Sequence, residues 1–246
     1  LRYFLFLSYR GTHYHGWQSQ PNAVTVQETI EKALTLLLKN PTEIVGAGRT
    51  DSGVHAREMY AHFDVENELH CPTLIAKLNS ILPKDIAIHN IIKVENDAHA
   101  RFDATKRSYE YHIHLQKSAF DFENSWYCKQ PLDVQKMNAA CPVLFEYEDF
   151  ECFSKKHTDV HTFNCKIKEA HWQQNGDKLV FTIVADRFLR NMVRAIVGTM
   201  VDIGLGKITL EDFRKIIESK NRSQAGFSVP AQGLYLTKIE YDYIKK

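Results

Sequence analysis

With 246 residues the chain can build two modest cores or one large one, and its 44% hydrophobic and 25% charged content excludes a disordered tail or a fibre. Its 31 basic and 30 acidic residues leave a formal charge of +1, so any nucleic-acid site must come from local clustering of cations rather than from bulk charge. No apolar run approaches the roughly 20 residues needed to cross a bilayer, and five cysteines (Cys71, Cys128, Cys141, Cys152, Cys165) without a CxxC pair point to a reducing compartment, the cytoplasm by default.

The opening LRYFLFLSYR lacks the small-residue cleavage site of a leader and reads as a core strand, nearly continuous in apolar residues over 2–9. After a polar loop, Thr25 with Glu28 three residues on forms a capping-box pattern ahead of apolar Val26, Ile30, Ala33, Leu34, Leu37 and Leu38, which predicts an amphipathic helix. Strands are expected at 43–48 and 57–65 around a turn at Asp51-Ser52-Gly53, a helix at 73–82, and strands at 85–94 and 107–115. The order β-α-β-β-α-β suggests a ferredoxin-like (RRM-like) half. Beyond Pro131 the pattern predicts a helix at 133–145, strands at 165–174 and 178–186, helices at 188–204 and 209–219, and a last strand after Gly233. The expected fold class is therefore α+β, with two halves, 1–105 and 106–246, whose sheets join side by side around a central cleft, a usual place for a ligand.

Four stretches could carry chemistry. In AGRTDSGVHA (47–56), residues two apart on an extended backbone point the same way, so Arg49 and Asp51 are expected to project together, the guanidinium lowering and orienting the carboxylate. The plain alternative is a turn capped by Asp51 beside a surface ion pair. In RFLRNMVR (187–194), Arg187, Arg190 and Arg194 follow i, i+3, i+7 spacing at the start of an expected helix, where three cations and the positive end of the macrodipole suit an anion; a solvated basic face is the alternative. KRSYEYHIH (106–114) alternates Tyr109, Tyr111 and Ile113 with Glu110, His112 and His114 beside Lys106 and Arg107, which fits either half-buried core tyrosines or a stacking face. The loop YRGTHYHGWQSQ (9–20) supplies Arg10, Tyr14, Trp17 and Gln18, types that contact nucleotides but that also pack loops beneath sheets.

Twelve histidines raise the question of metal, and Cys152, His157, His161 and Cys165 approximate a ligand set of loose spacing. HExxH, paired CxxC and EF-hand patterns are missing, as are GxGxxG and GxxxxGK[ST], so neither a metal nor a nucleotide cofactor is expected.

Taken together, YRGTHYHGWQ, Val26-Gln27-Glu28, GRTDSGVHA, HARFDATKRSYEY, MVRAIVG and GLYL resemble, in order and spacing over nearly the whole chain, the TruA family of tRNA pseudouridine synthases. Ser52 stands where a common form of the motif has Ala, and Arg190 where relatives often carry His. The resemblance implies a two-lobed pseudouridine synthase fold, a homodimer with one tRNA contacting both subunits, and uridines 38 to 40 of the anticodon stem-loop as substrate. It implies Asp51 as catalytic aspartate, Arg49 as its motif neighbour, Tyr109 as the active-site tyrosine and Arg194 as the active-site arginine. The reaction cuts the N1–C1′ bond, turns the uracil and joins C5 to C1′ with no net oxidation or hydrolysis, so it requires no cofactor. On this reading Asp51 either adds to C1′ or takes the 2′ proton on a glycal route, once the nucleotide has been extruded from its stack. Tyr109 would face the ring, Arg194 would pair with Asp51, and Arg49 would support the flipped backbone or fill the vacated space. Two other classes compete: a non-catalytic RNA clamp of the same fold, and a metal-dependent hydrolase built on the histidines.

Overall fold

The computed structural model describes residues 1–155 and 161–244. It is a mixed α+β protein whose strands are mostly antiparallel, organised as two compact units. The first holds residues 1–105 together with the segment from Leu236 onward, and the second holds Lys106–Tyr235. The segment from Leu236 thus groups with the first unit and not with the expected half 106–246.

The first unit runs β1 (Arg2–Tyr9), α1 (Val26–Leu38), β2 (Val45–Gly46), β3 (His55–Asp64), α2 (Cys71–Ile81) and β4 (Ile86–Val94). β1 lies between β3 and β4, antiparallel to both, with Leu5 opposite Ala61 on one side and Ile91 on the other. That central position explains its continuous apolar run: Tyr3, Phe4, Leu5, Leu7 and Tyr9 are all buried. Its register against β3 slips between Leu7 and Tyr9, a bulge of the kind that re-aims a side chain. α1 starts where the cap predicts, the Thr25 side chain accepting from the Glu28 amide, and it buries Val26, Ile30, Ala33 and Leu34. Full burial of each of the larger three is worth about 1.5–3 kcal/mol, which outweighs the intrinsic helix preference of any one residue. The strand expected over 43–48 shrinks to the two residues of β2.

The second unit runs β5 (Lys106–His114), β6 (Trp126–Tyr127), α3 (Val134–Ala140), β7 (Ile167–Asn175), β8 (Lys178–Ala185), α4 (Met192–Gly204) and α5 (Leu210–Glu218). β8 pairs antiparallel with both β5 and β7, and β6 adds a short parallel pairing to β5. The helix expected over 133–145 ends at Ala140 and tightens into a 3₁₀ segment, Cys141–Glu146. Pro142 explains this, since it has no N–H for the α-helical ladder and its ring clashes with the preceding turn. α4 is buried nearly all round, only Arg194 and Asp202 being less than fully buried. The last strand, β9 (Leu234–Glu240), begins at the end of this unit and lies next to β3 in the first.

α4 also corrects the expected arginine stripe. The helix begins at Met192, and its N-cap, Asn191, is left-handed with φ +68°. A left-handed residue breaks the 3.6-residue period, so Arg187 and Arg190 precede the helix and do not align with Arg194 on one face.

Candidate active site

In the first unit the centre of interest is the turn from Thr50 to Val54. The Asp51 carbonyl accepts from the Val54 amide at 3.1 Å, and Gly53 takes φ +81°, a conformation glycine adopts without strain. The neighbours of Asp51 on both sides are tied to the segment between β1 and α1. Tyr9, re-aimed by the β1 bulge, shares a 2.8 Å hydroxyl contact with Thr50. The Trp17 amide donates to the Thr50 carbonyl at 3.3 Å. The Tyr14 carbonyl accepts from both the Gly53 amide, at 3.3 Å, and the Ser52 hydroxyl, at 3.2 Å. The Gly11 amide donates to His55 Nδ1 at 3.0 Å, fixing the buried ring just after the turn. The approach is so close that a Cβ on Gly11 would stand 2.0 Å from the Val54 carbonyl oxygen and one on Gly16 would stand 2.3 Å from that of Thr50. Asp51 itself is half-buried, so the turn presents a carboxylate from a frame bonded on each side.

Arg49 departs from expectation. β2 stops at Gly46, so the alternation of an extended strand does not reach residues 49–51. The Arg49 side chain is exposed.

The amino-terminal loop divides by burial. Tyr14 and Trp17 are 5% and 2% exposed, which leaves no ring face for stacking; they pack the loop from within. The Tyr14 phenol donates to Asp85 Oδ1 at 2.7 Å, and burial together with that bond raises its pKa. Arg10 and Gln18 are exposed, and Arg10 lines a cavity of about 180 Å³ with Thr12, His13, Pro83, Lys84 and Asp85.

In the second unit Tyr109 sits on β5 opposite Ile183, half-buried, its ring edge-on to Phe188 at 5.1 Å. The next residues on that face, Tyr111 and Ile113, are core, and the Tyr111 hydroxyl donates to the Pro230 carbonyl at 2.7 Å. Arg194, in the first turn of α4, is anchored to Val229: its Nε donates to the Val229 carbonyl at 2.7 Å, while the Val229 amide donates to the Arg194 carbonyl at 3.3 Å. Burial raises the Tyr111 pKa, an effect that the positive charge of Arg194 partly offsets. Lys106 and Arg190 are exposed; Arg107 and Arg187 are half-buried and donate to the Asp186 and Thr162 carbonyls.

Among the described residues no three His, Cys, Asp or Glu side chains converge on a point where a metal could sit. Of the approximate ligand set, His157 lies outside the described residues, and Cys152 and Cys165 are buried thiols that burial pushes up to about 12.

Sequence reasoning missed Tyr9, Asp85, Phe188 and Val229, the partners that hold the named residues. Each is distant in sequence from what it holds, and only the bulge-forming end of β1 left a trace, in the polar Ser8 that interrupts the apolar run.

A mixed α+β framework of mostly antiparallel strands is consistent with the pseudouridine synthase fold. Residues 6–103 and 147–242 match the family model described as tRNA pseudouridine synthase. The chain is 54% identical over 242 residues to tRNA pseudouridine synthase A of Bacteroides fragilis, covering 98% of this chain and 96% of that protein. It is 54% identical over 241 residues to the protein of the same name from Parabacteroides distasonis, with the same coverage, and 35% identical over 240 residues to that of Exiguobacterium sibiricum, again at 98% and 96%. The chain belongs to the tRNA pseudouridine synthase A family.

Proposed function

We propose that this protein is an isomerase that converts uridine to pseudouridine at positions 38–40 of the anticodon stem-loop of tRNA, with Asp51 as its catalytic carboxylate. The observation that carries the reading is the Asp51 turn, whose flanking residues Thr50, Ser52, Gly53 and His55 are each bonded to the segment from Tyr9 to Trp17. Catalysis at an anomeric carbon needs a charged group held where the reacting atom arrives, and a carboxylate fixed before substrate binds avoids the cost of ordering it during the reaction. Asp51 then either bonds to C1′ as the N1–C1′ bond breaks and is displaced when C5 joins C1′, or takes the 2′ proton as N1 leaves C1′ and gives it back to C2′ as C5 joins C1′; on both routes the C5 proton is lost and N1 gains one.

Arg49, Tyr109 and Arg194 are assigned to the same reaction. Arg49 is exposed, suited to support the backbone of an extruded nucleotide. Tyr109 offers a half-buried phenol for the uracil. Arg194 supplies a cation anchored through its Nε. Arg10, Gln18, Lys106, Arg107, Arg187 and Arg190 are proposed as further tRNA contacts, the protein acting as a cytoplasmic homodimer. No helix among the described residues is long and apolar enough to cross a membrane.

The test is an assay on unmodified tRNA with chemical scoring of pseudouridine, wild type beside Asp51→Asn, which removes a charge with little change of shape. The variant should lose activity by about a thousandfold or more, and conversion should map to the stem-loop. Full turnover by Asp51→Asn excludes the mechanism, and an untouched base in the wild-type reaction leaves only a clamp.

A further inference from the structure

Phe102 is 74% exposed, yet the turn that carries it is fixed throughout. The His99 amide donates to Asp103 Oδ2 at 2.7 Å, and the Ala100 amide to His62 Nδ1 at 3.1 Å. The Arg101 and Phe102 amides both donate to His99 Nδ1, at 3.1 and 3.3 Å, and the Asp103 amide donates to the His99 carbonyl at 3.1 Å. Every backbone N–H from His99 to Asp103 is thus satisfied inside the unit. Tyr241 and Tyr243 pin the turn from beneath, donating to the Ala100 carbonyl at 2.5 Å and to Asp103 Oδ2 at 2.8 Å.

A singly exposed phenyl is ordinary on a protein surface. This one has two specific neighbours. The His99 ring lies 4.2 Å from it, centroid to centroid, tilted by 34°, and the Arg101 guanidinium carbon is 5.6 Å from its centroid. Because His99 Nδ1 accepts two amides, its proton sits on Nε2, and the ring acts as a neutral backing for the phenyl. An aromatic ring backed by a second ring, with a cation at its side and no backbone freedom beneath it, matches what a nucleobase stacks on.

Its place in the fold matters. Ala100 rests on His62, seven residues along β3 from His55, which follows the Asp51 turn. At about 3.3 Å per residue the two ends are separated by roughly 23 Å of strand.

We propose that Phe102, with His99 behind it and Arg101 beside it, is a stacking platform for one unpaired base of tRNA, at the opposite end of β3 from the Asp51 turn. The inference rests on tRNA being the substrate. It gives the protein a means of engaging tRNA at a point remote from the target uridine.

The test is equilibrium binding of full-length unmodified tRNA to the whole protein, wild type beside Phe102→Leu and Phe102→Trp. The phenyl is mostly exposed, so neither substitution disturbs the core. Phe102→Leu keeps an apolar side chain but removes the π-face, and it should weaken binding roughly five- to hundredfold. Phe102→Trp should bind at least as tightly as wild type, the new indole's fluorescence being quenched as tRNA is added. Arg101→Gln should reduce the salt slope of binding by about one. Wild-type affinity in Phe102→Leu overturns the proposal. Tight binding that depends on Phe102 without conversion of any uridine would keep this inference and sink the catalytic one, and conversion with affinity indifferent to Phe102 would do the reverse.

Discussion

The phenol of Tyr14 donates to Asp85 Oδ1 at 2.7 Å, and the carbonyl of Tyr14 accepts from the two residues that follow Asp51. One residue therefore links the start of β4 to the turn that presents the carboxylate. Tyr14→Phe keeps the buried ring and removes the bond to a charged acceptor, so stability should fall by about 1.5–3 kcal/mol and kcat by roughly severalfold, read by urea unfolding and tRNA turnover. Unaltered stability would show that the Asp85 bond contributes nothing to the frame.

Gly16 has φ +86° and lies against the Thr50 carbonyl, whereas Gly206 has a similar φ, +71°, with nothing near where a Cβ would be. Alanine at either site incurs the left-handed cost of about 1–2 kcal/mol. Only Gly16→Ala must also displace the Thr50 carbonyl next to Asp51, so it should lose about 2–4 kcal/mol and most activity, while Gly206→Ala stays near the smaller figure. Equal losses at the two sites would remove the case for a functional contact at Thr50.

Asn191 holds its left-handed conformation at the start of α4 and donates to the Ser228 hydroxyl at 2.7 Å. Both Asn191→Gly and Asn191→Ala lose that bond, but only alanine resists the backbone conformation, so the alanine variant should be the less stable by about 1 kcal/mol. If Arg194 acts in the reaction, the alanine variant should also show the lower kcat, because the first turn of α4 carries that side chain.

His62 gives a dependence on pH. Burial, assisted by the positive charge of Arg2 and by His99, holds its pKa down to about 4 against an ordinary 6.5. Between those values the unfolded chain binds a proton that the folded chain refuses, so this contribution is complete above about 6.5 and is lost progressively as pH falls toward 4. His62→Asn, which keeps an acceptor near the Ala100 amide, should flatten the urea midpoint over that window. A wild-type midpoint that does not change between pH 7 and pH 4 would contradict the buried neutral ring.

The elements most legible in the sequence were those whose signal is local. α1 announced itself by a capping threonine and a 3.6-residue apolar period, and β1 by an unbroken apolar run. Where a single residue overrode the period, the sequence reading overshot: Pro142 cut a helix short and Asn191 delayed another by four residues, so the arginine alignment drawn on that helix dissolved. At the site, the Asp51 turn could be read from Asp and Gly, but its bracing could not. The contacts from Tyr9, Tyr14 and Trp17 join positions far apart in sequence, and Tyr14 and Trp17, the aromatic residues that suggested nucleotide contacts, are spent holding the loop.

The ring of Tyr241 packs edge-on against Phe4 and Tyr60, at 5.3 and 5.1 Å, and β9 lies next to β3 in a unit whose other strands all precede Lys106. On the ribosome, the unit that starts first is therefore the one that finishes last. The Asp51 turn emerges early on a sheet still missing a strand, and it waits through synthesis of the entire second unit before its own core can close.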